Sequence, residues 1–126
     1  MVKKRKDEEL ADRLLAFAVR VIKIVSSLPQ NTVGKHIPHQ LLKCGTSPGA
    51  NYEEARGAES ARDFVHKLRI ALKELKELRF WLKVTREVPL LDRHQVEPLL
   101  QECEELIAIL AKSISTARKS KSKSKS

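Results

Sequence analysis

Apolar residues recur every three or four positions through four stretches of the chain, the spacing that lines one face of an α-helix. The first stretch begins near Asp7. Its stripe is Leu10, Leu14, Phe17, Val21, Ile24, Val25 and Leu28, and turn residues from Pro29 to Gly34 end it. Asp7, Glu8 and Glu9 suit the positive end of a helix dipole. The second stretch carries Ile37, Leu41, Cys44, Pro48, Asn51, Tyr52 and Ala55. Pro38 fits a first helical turn. Because the spacing persists through Pro48, it predicts one helix kinked at Gly45–Gly49, although Ser47 could instead cap a fresh helix. Ser60 and Asp63 form a capping-box start for the third stretch, which ends before Pro89 and turns Phe64, Leu68, Ala71, Leu75, Leu78 and Leu82 inward. Asp92 and Gln95 open the fourth, whose stripe is Val96, Leu99, Leu100, Cys103, Leu106, Ile107, Leu110 and Ile114. Pro98, in its second turn, predicts a slight bend.

Four amphipathic helices of roughly equal length on short connections predict an all-α, up-down-up-down antiparallel four-helix bundle. The bundle is expected over residues 7–117, with disordered basic segments at 1–6 and 118–126 emerging at the same end. Asn51 falls in or beside the apolar seam with Glu54 one turn on, a placement that suits register or partner choice better than ligand contact.

The third stretch, Arg62–Arg86, has a second face. At about 100° per residue, Arg62, Arg69, Lys73, Lys76 and Lys83 lie opposite the apolar stripe, with Phe80 among them. Between the faces sit Ile70 and Trp81, too apolar for a solvated flank in a bundle with no fifth element to cover them. That extra sector predicts a homo-oligomer.

Charge sharpens this picture. The chain carries 25 Lys/Arg against 16 Asp/Glu, a net charge of +9. Lys3, Lys4, Arg5 and Lys6 supply four of the excess charges, and Arg118, Lys119, Lys121, Lys123 and Lys125 supply the other five. Between them the chain is formally neutral, so the basicity is two terminal segments plus one helix face. Such clustering is the footprint of a polyanion partner, most often nucleic acid, with a solubilising or non-native Lys/Ser tail as the bland alternative. Aromatic residues are only 4% and there are four glycines, which argues against a turn-rich β fold. Two cysteines give no disulfide framework, and both occupy apolar helical positions, as small buried groups in a reducing cytoplasm do. The run from Leu14 to Val19 is too short to cross a membrane, and the acids after Lys6 argue against a signal peptide. Gly34-Lys35 lacks the glycine pattern of a phosphate loop. His36 and His39 have no Cys or carboxylate at metal-ligand spacing, and neither His66 nor His94 has a nucleophile nearby in sequence. No catalytic residue, metal site or cofactor is therefore assigned.

At Gly45–Ala55, GTSPGANYEEA, followed by the helix FVHKLRIALKELKELRFWL, the chain resembles the four-helix-bundle family of intervening-sequence proteins encoded within some bacterial large-subunit ribosomal RNA genes. The family pattern falls on Ser47, Ala50, Asn51 and Glu54, with Ala55 where many members place glycine. Leu78–Lys83 and His94–Glu97 are further similar to the accessory variability determinant of diversity-generating retroelements, a branch of the same fold. That resemblance implies a basic homopentamer that binds RNA or DNA and associates with a reverse transcriptase. The combined expectation is a non-catalytic RNA-binding accessory protein. Arg62, Arg69, Lys73, Lys76 and Lys83 would meet phosphates, Phe80 would stack on a base, and the basic termini would add non-specific attraction. Asn51, Glu54, Ile70 and Trp81 would serve seam and subunit contacts. The rival expectations are a protein-interaction scaffold whose basic face is only solvated, and an intervening-sequence protein needing no polymerase.

Overall fold

The computed structural model describes residues 3–29 and 34–125, with side chains through residue 120. Four helices follow one another: α1 (Lys6–Val25), α2 (His36–Arg56), α3 (Ala61–Glu87) and α4 (Arg93–Lys125). Each neighbour in sequence is a neighbour in space, and α4 closes the ring on α1. Side-chain contacts give the directions. Asp7 meets Arg56 while Val21 lies against Gly45, so α1 and α2 are antiparallel. Glu54 meets Lys67 and His36 meets Trp81, which sets α3 antiparallel to α2. Arg79–Glu104 and Arg86–Glu97 do the same for α3 and α4. This is the up-down-up-down four-helix bundle, without a strand among the described residues. No helix of these residues is long and apolar enough to cross a membrane.

The stripes read from the sequence form the core. Leu14, Phe17 and Val21 of α1 meet Leu41 and Cys44 of α2, Leu68, Leu75, Leu78 and Leu82 of α3, and Val96, Cys103, Leu106 and Leu110 of α4. Both capping boxes are visible by one half each. The Ser60 hydroxyl accepts from the Asp63 N–H at 3.0 Å, and the Gln95 side chain accepts from the Asp92 N–H at 3.2 Å. α2 is one helix through Pro48, whose missing N–H deprives the Cys44 carbonyl of its helical donor. One turn earlier, Gly45 lets the Val21 side chain of α1 pack onto the α2 backbone. A Cβ there would sit 2.7 Å from Cγ1 of Val21.

Two boundaries differ from expectation. α4 does not stop at 117 but continues to Lys125, because nothing after Pro98 breaks it: Ala, Ser, Thr, Arg and Lys all tolerate a helix, and no glycine or proline intervenes. At the other end Lys6 already belongs to α1, with Arg5 as its N-cap. The expected turn from Pro29 to Gly34 is described only at its ends, and residues 30–33 lie outside the described residues. Gly34 there has φ +65°, the left-handed region that glycine occupies without strain.

Candidate nucleic-acid interface

α3 carries eight basic residues, and the structure sorts them into two groups. Lys67 pairs with Glu54 across to α2, while Arg79 and Arg86 pair with Glu104 and Glu97 on α4. These three sit toward the flanks of the helix and tie it to its neighbours. Arg62, Arg69, Lys73, Lys76 and Lys83 are all exposed, and among the described residues no carboxylate forms an ion pair with any of them. Helical geometry puts the five, with His66 and Phe80, in an arc about 100° wide that runs for roughly 30 Å. Among the described residues, no acid neutralises that track. Phe80 lies within it, 58% exposed, its ring held edge-on to Trp81 at 5.1 Å. Cations along a groove-free helix with an exposed aromatic ring among them can meet successive phosphates and stack a base.

The terminal basic residues are less uniform. Lys4 is hydrogen-bonded to Asp12, which raises its affinity for the proton, and Arg5 pairs with Asp7 and Glu8. Lys3, Lys6, Arg118 and Lys119 are exposed without an acidic partner among the described residues. The α3–α4 register, set by the Cys103 thiol on the Leu75 carbonyl, brings Arg118 level with the start of α3 near Arg62. The basic track on α3 and the basic end of α4 thus begin at the same end of the bundle.

Two sequence expectations need correction here. Trp81 is not an uncovered sector: it is partly buried against the core, edge-on to His36 at 5.4 Å, because α2 begins beside it. Ile70 is half-buried, but it is not among the apolar residues packed against the core. Glu54 is not the neighbour of Asn51. It turns outward to Lys67, while the Asn51 amide donates to the carbonyl and hydroxyl of Ser47, each at 3.0 Å, satisfying itself within α2.

Two features escaped the sequence reading. On α1, Leu15, Val19 and Ile22 form an exposed apolar stripe at helical spacing, with Leu15 65% exposed and Leu42 of α2 alongside. The unbroken apolar run from Leu14 to Val19 was its signal, since a run with no polar break cannot point only inward. The second is a meeting of Cys44 with Glu74 and Glu77 between α2 and α3. Thirty residues separate Cys44 from Glu74, so no local spacing betrays it. Burial first, then the charges of Glu74 and Glu77, push the Cys44 thiol up to about 12. Burial likewise pushes Cys103 up to about 12, so both thiols are protonated at neutral pH.

The sequence from residue 6 to residue 112 matches the profile of the 23S rRNA-intervening sequence proteins. The chain belongs to that family. A solved structure described as a protein of unknown function from the S23 ribosomal protein family of Bacteroides thetaiotaomicron superposes with a TM-score of 0.82 at 35% identity. The match covers 88% of this chain and 99% of that one. No curated protein matches the chain. Membership in the 23S rRNA-intervening sequence family accounts for the bundle from α1 to most of α4, and Arg118 and Lys119 fall beyond the matched residues.

Proposed function

We propose that this protein is a non-catalytic, self-associating RNA-binding accessory protein whose α3 outer face is the RNA track. The observation that carries the reading is the division of the α3 cations. Those that could reach an acid of the bundle are paired with one, and the five that share the outer arc have none. Between Arg62 and Lys83 the outer arc also holds no acidic residue of its own, a one-sided charge that suits successive phosphates. The finer proposal, that the enzyme it serves is a reverse transcriptase, rests on the resemblance of Leu78–Lys83 and His94–Glu97. A reverse transcriptase gene beside a near-duplicate variable repeat in the genomic neighbourhood supports that part, and its absence removes it.

The RNA reading is tested by fluorescence titration of single-stranded RNA against three full-length proteins at one salt concentration. Lys73→Glu/Lys76→Glu is expected to weaken binding at least tenfold, and Arg79→Gln, which alters a paired cation, less than twofold. Unchanged affinity in the double variant overturns the α3 site and favours a protein scaffold with a merely solvated basic face.

A further inference from the structure

Glu74 and Glu77 are one turn apart on α3, and both face Cys44 of α2. One donor atom from each of the three lies within 4.8 Å of the other two. Cys44 is fully buried, and its thiol donates to Oε2 of Glu77 at 3.6 Å. Glu74 is 9% exposed, and its Oε2 has no hydrogen-bond partner, the one such buried side-chain atom among the described residues. Elsewhere in the bundle, acids that face a neighbouring helix meet a cation: Asp7 with Arg56, Glu54 with Lys67, Glu102 with Arg13, Glu104 with Arg79 and Glu97 with Arg86. No Lys, Arg or His among the described residues pairs with Glu74 or Glu77. Two carboxylates and a thiol gathered in a helix seam, one oxygen unsatisfied, are costly unless a cation compensates them.

We propose that Cys44, Glu74 and Glu77 form a binding site for a thiophilic divalent cation of the zinc class. The donor set decides the class. A sulfur ligand disfavours magnesium and calcium, which select oxygen, whereas zinc accepts one thiolate with two carboxylates and leaves a fourth position for water. Tetrahedral zinc with bonds of about 2.0–2.3 Å places its ligands roughly 3.5 Å apart. Rotation of the two glutamate side chains supplies the closure from the present separation. On binding, the thiol proton leaves to solvent and sulfur takes the metal in its place, so one proton is released per ion. The ion then clamps α2 to α3 behind the basic track, a role independent of RNA binding.

The test uses the tag-free full chain, freed of metal with a chelator and titrated with Co²⁺. Expected is a thiolate-to-cobalt charge-transfer band that saturates at one ion per chain, is displaced by Zn²⁺ and ignores excess Mg²⁺. Cys44→Ser should abolish the band, and Glu74→Gln and Glu77→Gln should each weaken Co²⁺ binding at least tenfold. In the absence of metal, Glu74→Gln should melt no lower than the native chain, because it removes a buried carboxylate oxygen that has no partner. The proposal is overturned by the lack of a saturable band in the native protein. It is equally overturned by a band that persists in Cys44→Ser, or by undiminished Co²⁺ affinity in both glutamine variants.

Discussion

At the scale of single residues, Gly45 is where the α2 backbone packs directly against the Val21 side chain of α1. Alanine normally gains over glycine inside a helix by about 0.5–1 kcal/mol. Here its Cβ would meet two methyl groups of Val21, at 2.7 and 2.9 Å, on a buried β-branched side chain with little freedom to rotate away. Overpacking of that kind costs about 1–3 kcal/mol, so Gly45→Ala should lower the urea midpoint despite its better helix propensity. An unchanged or raised midpoint would mean that the two helices part easily. The thiols offer a second check. In the metal-free protein, between the unfolded value of 9.0 and about 12, only the folded chain keeps the Cys44 and Cys103 protons. The unfolded state then binds fewer protons, and the two groups' contribution to stability declines as pH rises through that window. At neutral pH neither thiol should react with an alkylating reagent until denaturant is added. Rapid modification of the native chain would show that one of them is open to solvent. Asn51 illustrates what a lone sequence conceals. Its place beside the seam was legible, but its partner was not. A flexible amide reaches both the turn before and the helix alongside, and only the packing decided for Ser47.

At the scale of elements, α3 was almost wholly legible, because a helix with an apolar stripe and a charged back reports both faces through one period. Leu68, Leu75, Leu78 and Leu82 are buried and the five outer cations exposed, as the spacing predicts. Its start rests on Ser60, whose hydroxyl satisfies one of the free N–H groups of the first turn. Ser60→Ala should therefore cost about 1 kcal/mol in thermal or urea unfolding, and no loss would mean that another group caps α3 equally well. The end of α4 runs past the expected boundary for a physical reason. Lys/Ser low complexity lacks apolar groups to bury, but continuing a helix already nucleated by packing costs far less than starting one. The meeting of Cys44 with Glu74 and Glu77 lay beyond sequence reasoning altogether, since it exists only once α2 and α3 are in register.

At the scale of the whole molecule, the outer faces of the bundle differ in kind. α3 presents unpaired cations, whereas α1 presents Leu15, Val19 and Ile22 beside a groove of about 520 Å³ toward α2, lined by Ala18, Gly49 and Ala50 and rimmed by both signs of charge. Trp81 is largely occupied within the chain, so self-association, with a pentamer as the first expectation, would draw mainly on the α1 face and leave the α3 cations open. Light scattering should give a multiple of 14.3 kDa, and Leu15→Glu/Ile22→Glu should reduce it to a single chain with helix content intact. A single-chain mass for the native protein at micromolar concentration would contradict assembly. The central claim, that the unpaired α3 cations neutralise RNA phosphates, is tested most directly by the salt dependence of affinity. Each single-strand phosphate neutralised adds about 0.7 to the slope of log affinity against log salt. Replacing Lys73 and Lys76 by glutamine should reduce that slope by about 1.4. A slope unchanged from that of the native protein would contradict the claim and assign the RNA contacts to the terminal basic residues instead.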